Sequence, residues 1–102
     1  MKALELAQRI TSNSAPPVLD ARSELEFKRG HIPGAIHAPF LKILLKRARL
    51  LEDKNSEMVI TCEHGPRAMM AKRLLAAYGY RNVTLLEGHM LGWRRAGLRL
   101  EK

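Results

Sequence analysis

The chain has 102 residues, enough for one hydrophobic core and too few for two. Its 46% hydrophobic and 27% charged residues exclude a disordered chain, and no apolar run approaches the ~20 residues of a membrane-spanning helix. A single cysteine excludes an internal disulfide and a multi-cysteine zinc site, while a net charge of +8 implies attraction to anions without choosing among them. The opening Met1-Lys2-Ala3-Leu4-Glu5 lacks the basic patch and apolar run of a secretory signal, so the expected compartment is the cytoplasm. One domain over residues 1–102 is expected.

Ala3, Leu6, Ala7 and Ile10 recur at helical spacing, and Ser12-Asn13-Ser14 with Pro16-Pro17 ends that helix. Val18-Leu19-Asp20-Ala21 reads as a short buried strand. Ser23 and Glu26 form a capping box that opens a short helix. Gly30-His31-Ile32-Pro33-Gly34 is rich in turn residues, and Ala35 to Ala38 reads as a brief strand stopped by Pro39. From Phe40 to Leu51 a helix is expected, with Leu41, Leu44, Leu45 and Ala48 on one side and Lys42, Lys46, Arg47 and Arg49 on the other. That basic face reads as a solvated surface; its sharper reading is a dock for an acidic partner.

Met58-Val59-Ile60-Thr61-Cys62 carries the strongest strand signal. Glu63-His64-Gly65-Pro66 is a tight loop, and Pro66 suits the first turn of a helix that reads over Ala68 to Tyr78 and stops at Gly79. Val83 to Leu86 is a last strand, Gly88 a turn, and Leu91 to Ala96 a final helical turn. Strands alternating with helices predict an α/β sandwich around a mostly parallel sheet, in which ligands bind beyond the carboxyl ends of strands. Cys62 falls at such an end, just before a helix.

The chemistry of that position is definite. Loop N–H groups can turn inward as an anion nest, and the helix start adds its unpaired N–H groups and dipole. Both favour a thiolate or persulfide anion over a thiol. Arg67 adds a positive charge, and Gly65 permits the tight turn. Pro66 removes one N–H donor, and Glu63 opposes an anion unless its carboxylate points away. The bland alternative is that Cys62 is an inert buried strand-end residue.

Three stretches together resemble the rhodanese family. Cys62-Glu63-His64-Gly65-Pro66-Arg67-Ala68 is similar to its active-site loop. Val18-Leu19-Asp20-Ala21-Arg22, with Glu26-Phe27 and Gly30-His31-Ile32-Pro33-Gly34-Ala35, resembles its N-terminal signature. Asn82-Val83 through Leu86-Glu87-Gly88, with Trp93 and Gly97, resembles its C-terminal one. The resemblance implies a three-layer α/β/α sandwich with a parallel sheet of four to five strands. It also implies a sulfurtransferase. A donor such as thiosulfate, polysulfide or a persulfide gives sulfur to catalytic Cys62, and the acceptor is a thiol, cyanide or a sulfur-relay protein. Substrate contacts then fall to Glu63, His64, Gly65, Pro66, Arg67 and Ala68, with no metal or organic cofactor.

Three departures from the family pattern stand out. The chain begins almost at the first helix, without the usual short strand. His89 follows Gly88 where a second Gly is usual, which puts His89 near the pocket mouth. Glu63 sits where thiosulfate users carry basic or neutral residues, so thiosulfate is expected to be a poor donor. Among the other residues, His31, Asp20 and Arg22 read as structural and Trp93 as core. His64 reads either as exposed beside the sulfur, where it meets donor or acceptor, or as mere decoration of the loop.

Three other readings compete. A phosphatase or arsenate reductase needs Cys, five residues, then Arg; here Arg67 comes after four and Ala68 fills the required place. A persulfide carrier or regulatory module would use Cys62 only with protein partners. Nucleic-acid binding is suggested by charge alone, against few aromatic residues, no binding motif and scattered basic residues. No membrane partner is expected.

Overall fold

The computed structural model describes residues 1–45 and 53–102. Nine elements alternate along them: α1 (Ala3–Thr11), β1 (Val18–Asp20), α2 (Glu24–Arg29), β2 (Ile36–His37), α3 (Phe40–Leu44), β3 (Met58–Thr61), α4 (Pro66–Ala77), β4 (Val83–Leu85) and α5 (His89–Arg95). The strands form one parallel sheet in the order β2-β1-β3-β4. This is the expected α/β/α arrangement, with four strands. The N-terminal residue lies beside the far edge: the Met1 ammonium donates to Leu85 O at 2.9 Å, and Glu87 N–H donates to Met1 O.

Strand alternation divides the core in two. Along β1 and β3 and the residue that follows each, Leu19, Ala21, Met58, Ile60 and Cys62 join one cluster with Ile43 of α3 and Ala68, Ala71 and Leu75 of α4. Val18 and Val59 join the other, with Leu6 of α1 and Met90 and Trp93 of α5. Successive side chains point to opposite faces, so a strand covered on both reads as continuously apolar. Trp93 is core, as expected, and its indole N–H donates to Arg99 O at 2.8 Å.

Several expectations change. The buried residue of α3 is Ile43, while Leu41, Leu44 and Leu45 are exposed. A helix of five residues started by Pro39 presents little more than one turn, and that turn docks through Ile43 and the half-buried Phe40. Lys46, Arg47, Ala48, Arg49 and the rest of the expected helix to Leu51 lie outside the described residues. The strand also ends at Thr61 and not at Cys62, because the Cys62 carbonyl accepts from Met90 N–H at 3.0 Å and so turns toward α5. At the helix ends, α4 starts two residues early, with Pro66 in its first turn, and α5 starts at His89.

Candidate active site

β3 and α4 are joined by Cys62 to Gly65, and the sulfur sits at the junction. Cys62 is fully buried, and its Sγ accepts from Gly65 N–H at 3.0 Å and from Ala68 N–H at 3.4 Å. These bonds form because the loop curls back over the strand end, with Gly65 at φ 124° and ψ −37°. A β-carbon makes that angle costly, so glycine is required there. Pro66 contributes no N–H, as its ring dictates.

The loop is fastened from behind by α5. Met90 N–H donates to Cys62 O, and Leu91 N–H donates to Glu63 O at 3.2 Å. The His89 imidazole completes the attachment: Cys62 N–H donates to its Nδ1 at 3.4 Å, and Thr61 Oγ1 lies at the same distance. His89 is only 9% exposed, so it stands behind the loop instead of at the pocket mouth that its sequence position suggested. Burial lowers its pKa below the ordinary histidine value.

Neither charged loop residue faces the sulfur alone. Arg67 binds Glu26 of α2 through two bonds, at 2.6 and 3.1 Å. The Arg67 hydrogen bonds hold the Glu26 carboxyl down at about 2, and the same pairing raises the Arg67 pKa. Glu63 turns away and is taken by Arg94 of α5, at 3.1 Å from one guanidinium nitrogen with a second bond to its other oxygen, and by Arg22 at 3.4 Å. Arg22 in turn is buried on Asp20, with Nε at 3.0 Å and Nη2 at 2.8 Å from the carboxylate, and Nη2 also donates to Gly30 O. Arg22, Glu63 and Arg94 line a cleft of about 370 Å³ with Glu26, Arg29, Gly30 and Leu100.

Of the seven loop residues named from sequence, Cys62, Gly65 and Ala68 meet at the sulfur. Glu63 and Arg67 point sideways into ion pairs, His64 is exposed, and Pro66 opens α4. Asp20 and Arg22 hold the end of β1, and His31 is structural: Nδ1 bonds Phe27 O at 2.9 Å and its ring stacks on Phe27. The partners Glu26 and Arg94 were not legible as site residues. Glu26 showed as a helix cap and as part of the N-terminal signature, and no spacing rule relates either to Cys62. Among the described residues no cluster of His, Cys, Asp and Glu could hold a metal.

A parallel α/β/α sandwich with a lone cysteine at the carboxyl end of an inner strand, its sulfur turned onto backbone N–H groups, defines a class of cysteine-loop proteins. The chain belongs to the rhodanese-like family, whose domain model matches residues 2–96. It is similar to a sulfurtransferase of Allochromatium vinosum, 31% identical over 93 residues that cover 91% of this chain and 85% of that protein. It is also similar to YrkF of Bacillus subtilis, named as a candidate sulfur carrier, at 34% over 86 residues; they cover 84% of this chain and 45% of YrkF, so the chain spans under half its length. Among solved structures, the Alr3790 protein from Anabaena sp. superposes with a TM-score of 0.86 at 26% identity, over 99% of this chain and 81% of that one.

Proposed function

We propose that the protein is a sulfurtransferase in which Cys62 carries sulfane sulfur as a persulfide. The observation that carries this reading is the pair of N–H bonds from Gly65 and Ala68 to Sγ. They are aimed where a thiolate forms, the state that attacks a donor sulfur. The thiolate attacks the sulfane sulfur of the donor, the donor S–S bond breaks, and a thiolate, a shortened polysulfide anion or sulfite leaves with the electron pair. An external thiolate or cyanide then attacks the outer sulfur and Cys62 departs as thiolate. The acceptor comes from outside, because the chain has one cysteine. A reducing, cytoplasmic setting suits a thiol that must stay free.

The charge pattern favours organic persulfide or polysulfide donors, which carry less negative charge, over thiosulfate. Glu26 occupies Arg67, and Arg94 and Arg22 occupy Glu63, so the loop offers an incoming dianion little net attraction. Arg67 engaged with Glu26 also argues against a phosphatase, which needs its arginine over the oxyanion. A second reading, a persulfide carrier loaded by a protein partner, is favoured by the complete burial of Cys62 and by the similarity to YrkF.

The test is intact mass after mixing with thiosulfate or with an organic polysulfide, beside Cys62→Ser. Gain of one sulfur on the wild type alone, faster from polysulfide, is the expected result. Gain on both proteins removes Cys62 from the chemistry. No gain from any small donor, with a thiol that still alkylates, supports the carrier.

A further inference from the structure

We propose that His89 is a positioning residue for the Cys62 loop: as its Nε2–H tautomer it takes the Cys62 N–H on Nδ1 and, wedged beneath Gly65, fixes the backbone that presents the sulfur.

Three observations converge on it. First, the Cys62 N–H lies beyond the last residue of β3 and has left the sheet ladder; its partner is His89 Nδ1 at 3.4 Å. A buried N–H without an acceptor is costly, so this bond decides which way the loop leaves the strand. Second, ring and loop are fitted to each other. A β-carbon on Gly65 would lie 3.1 Å from His89 Nε2 and 3.2 Å from Cδ2, so the imidazole edge fills the space that glycine leaves. Third, His89 adopts φ 51°, one of two non-glycine residues described with positive φ. That conformation is uncommon for any residue with a β-carbon, although histidine tolerates it better than most, and here its surroundings hold it. Here the holding contacts are the amides of the next two residues on the Cys62 and Glu63 carbonyls.

The tautomer follows from the bonding. A ring nitrogen that accepts a backbone N–H carries no proton, so the proton sits on Nε2. Burial opposes a second proton and keeps Nδ1 available as acceptor. The effect on transfer passes through Cys62: the same backbone that bonds His89 carries Sγ to the N–H groups of Gly65 and Ala68.

The consequence for sulfur transfer rests on the reading of Cys62 as the sulfur-bearing residue; the positioning role itself does not. The experiment compares His89→Gly and His89→Asn with wild type. Both replacements tolerate positive φ, and only Asn returns an oxygen close to the position of Nδ1. The readouts are exchange of the Cys62 amide hydrogen and the rate of persulfide loading from polysulfide. His89→Gly should speed amide exchange and slow loading by roughly five- to tenfold, the worth of one hydrogen bond. His89→Asn should bring both back to within about threefold of wild type. Wild-type amide exchange in His89→Gly overturns the proposal, as does equal behaviour of the two variants, which would mean the ring only fills space. Should His89→Gly fail to fold, nitrogen NMR of the wild-type imidazole decides: a proton on Nε2 supports the proposal and a proton on Nδ1 overturns it. A wild type that never loads sulfur defeats the transferase reading, while amide exchange still judges the role of His89.

Discussion

Glu26 and Arg67, forty-one positions apart in the chain, meet at 2.6 Å and join the first turn of α2 to the start of the sulfur helix. Glu26 also closes the capping box on Ser23, accepting its N–H at 3.0 Å. One carboxylate therefore serves both a helix end and the arginine of the cysteine loop.

That double use sets an acid limit. Held at about 2 instead of its ordinary 4.5, the Glu26 carboxyl contributes stability that is fully present above pH ~4.5 and lost as pH falls toward ~2. The pair is partly exposed, so its worth is discounted to about 1 kcal/mol. Glu26→Gln keeps the cap and removes the charge. In urea titrations wild type should exceed Glu26→Gln by a constant margin above pH ~5, and the margin should close by pH ~2. A margin independent of pH would mean that the ion pair contributes nothing.

The same substitution leaves Arg67 without its partner beside Cys62. Thiosulfate, a dianion, should then load the cysteine faster, by several-fold and most clearly at low salt, while wild type stays slow. Stopped-time mass measurements at two ionic strengths check this. Equal thiosulfate rates in the two proteins would show that Glu26 does not restrain donor choice.

Asp20 and Arg22 form the buried charge pair of the site, both within 3% of full burial. Asp20→Asn leaves a buried guanidinium without its carboxylate, and the expected loss is about 3–5 kcal/mol in chemical denaturation. A loss under about 1 kcal/mol would mean that Glu63 and the Gly30 carbonyl satisfy Arg22 unaided.

Gly65→Ala should disable the loop while the fold persists. The new methyl meets both an unfavourable φ of 124° and the His89 ring at 3.1 Å. Destabilisation of about 1–3 kcal/mol is expected, with persulfide loading lost beyond what that figure explains. Circular dichroism beside intact-mass loading separates the two effects.

His89 gives a second pH dependence. Its pKa is lowered by burial, so the unfolded chain binds this proton more readily than the folded one. Stability from this group is present above the ordinary pKa near ~6.5 and falls as pH drops below it. Its described hydrogen-bond partners are the Cys62 backbone amide and Thr61 Oγ1, neither of which titrates in this range. Between pH ~7 and ~5, His89→Asn should lose less stability than wild type; parallel losses would show that protonation of His89 costs the fold nothing.

Much of this was legible in the chain itself. The apolar run at Met58–Thr61, the capping box at Ser23 and Glu26, and Pro66 at a helix start depend on neighbours a few residues away, so local pattern reveals them. The same apolar run placed Cys62 at the carboxyl end of a strand, just before a helix. What tertiary structure alone decided is the electrostatics of the site. Glu63 beside the cysteine and Arg67 in its loop read as opposing charges on the sulfur; folding hands one to Arg22 and Arg94 and the other to Glu26, residues 31 to 41 positions away. It also turned a histidine that replaces a glycine into the buried support of the loop. Side-chain partners across such distances are chosen by the packing of α2 and α5 around the strand ends, and no periodicity along the chain encodes that packing.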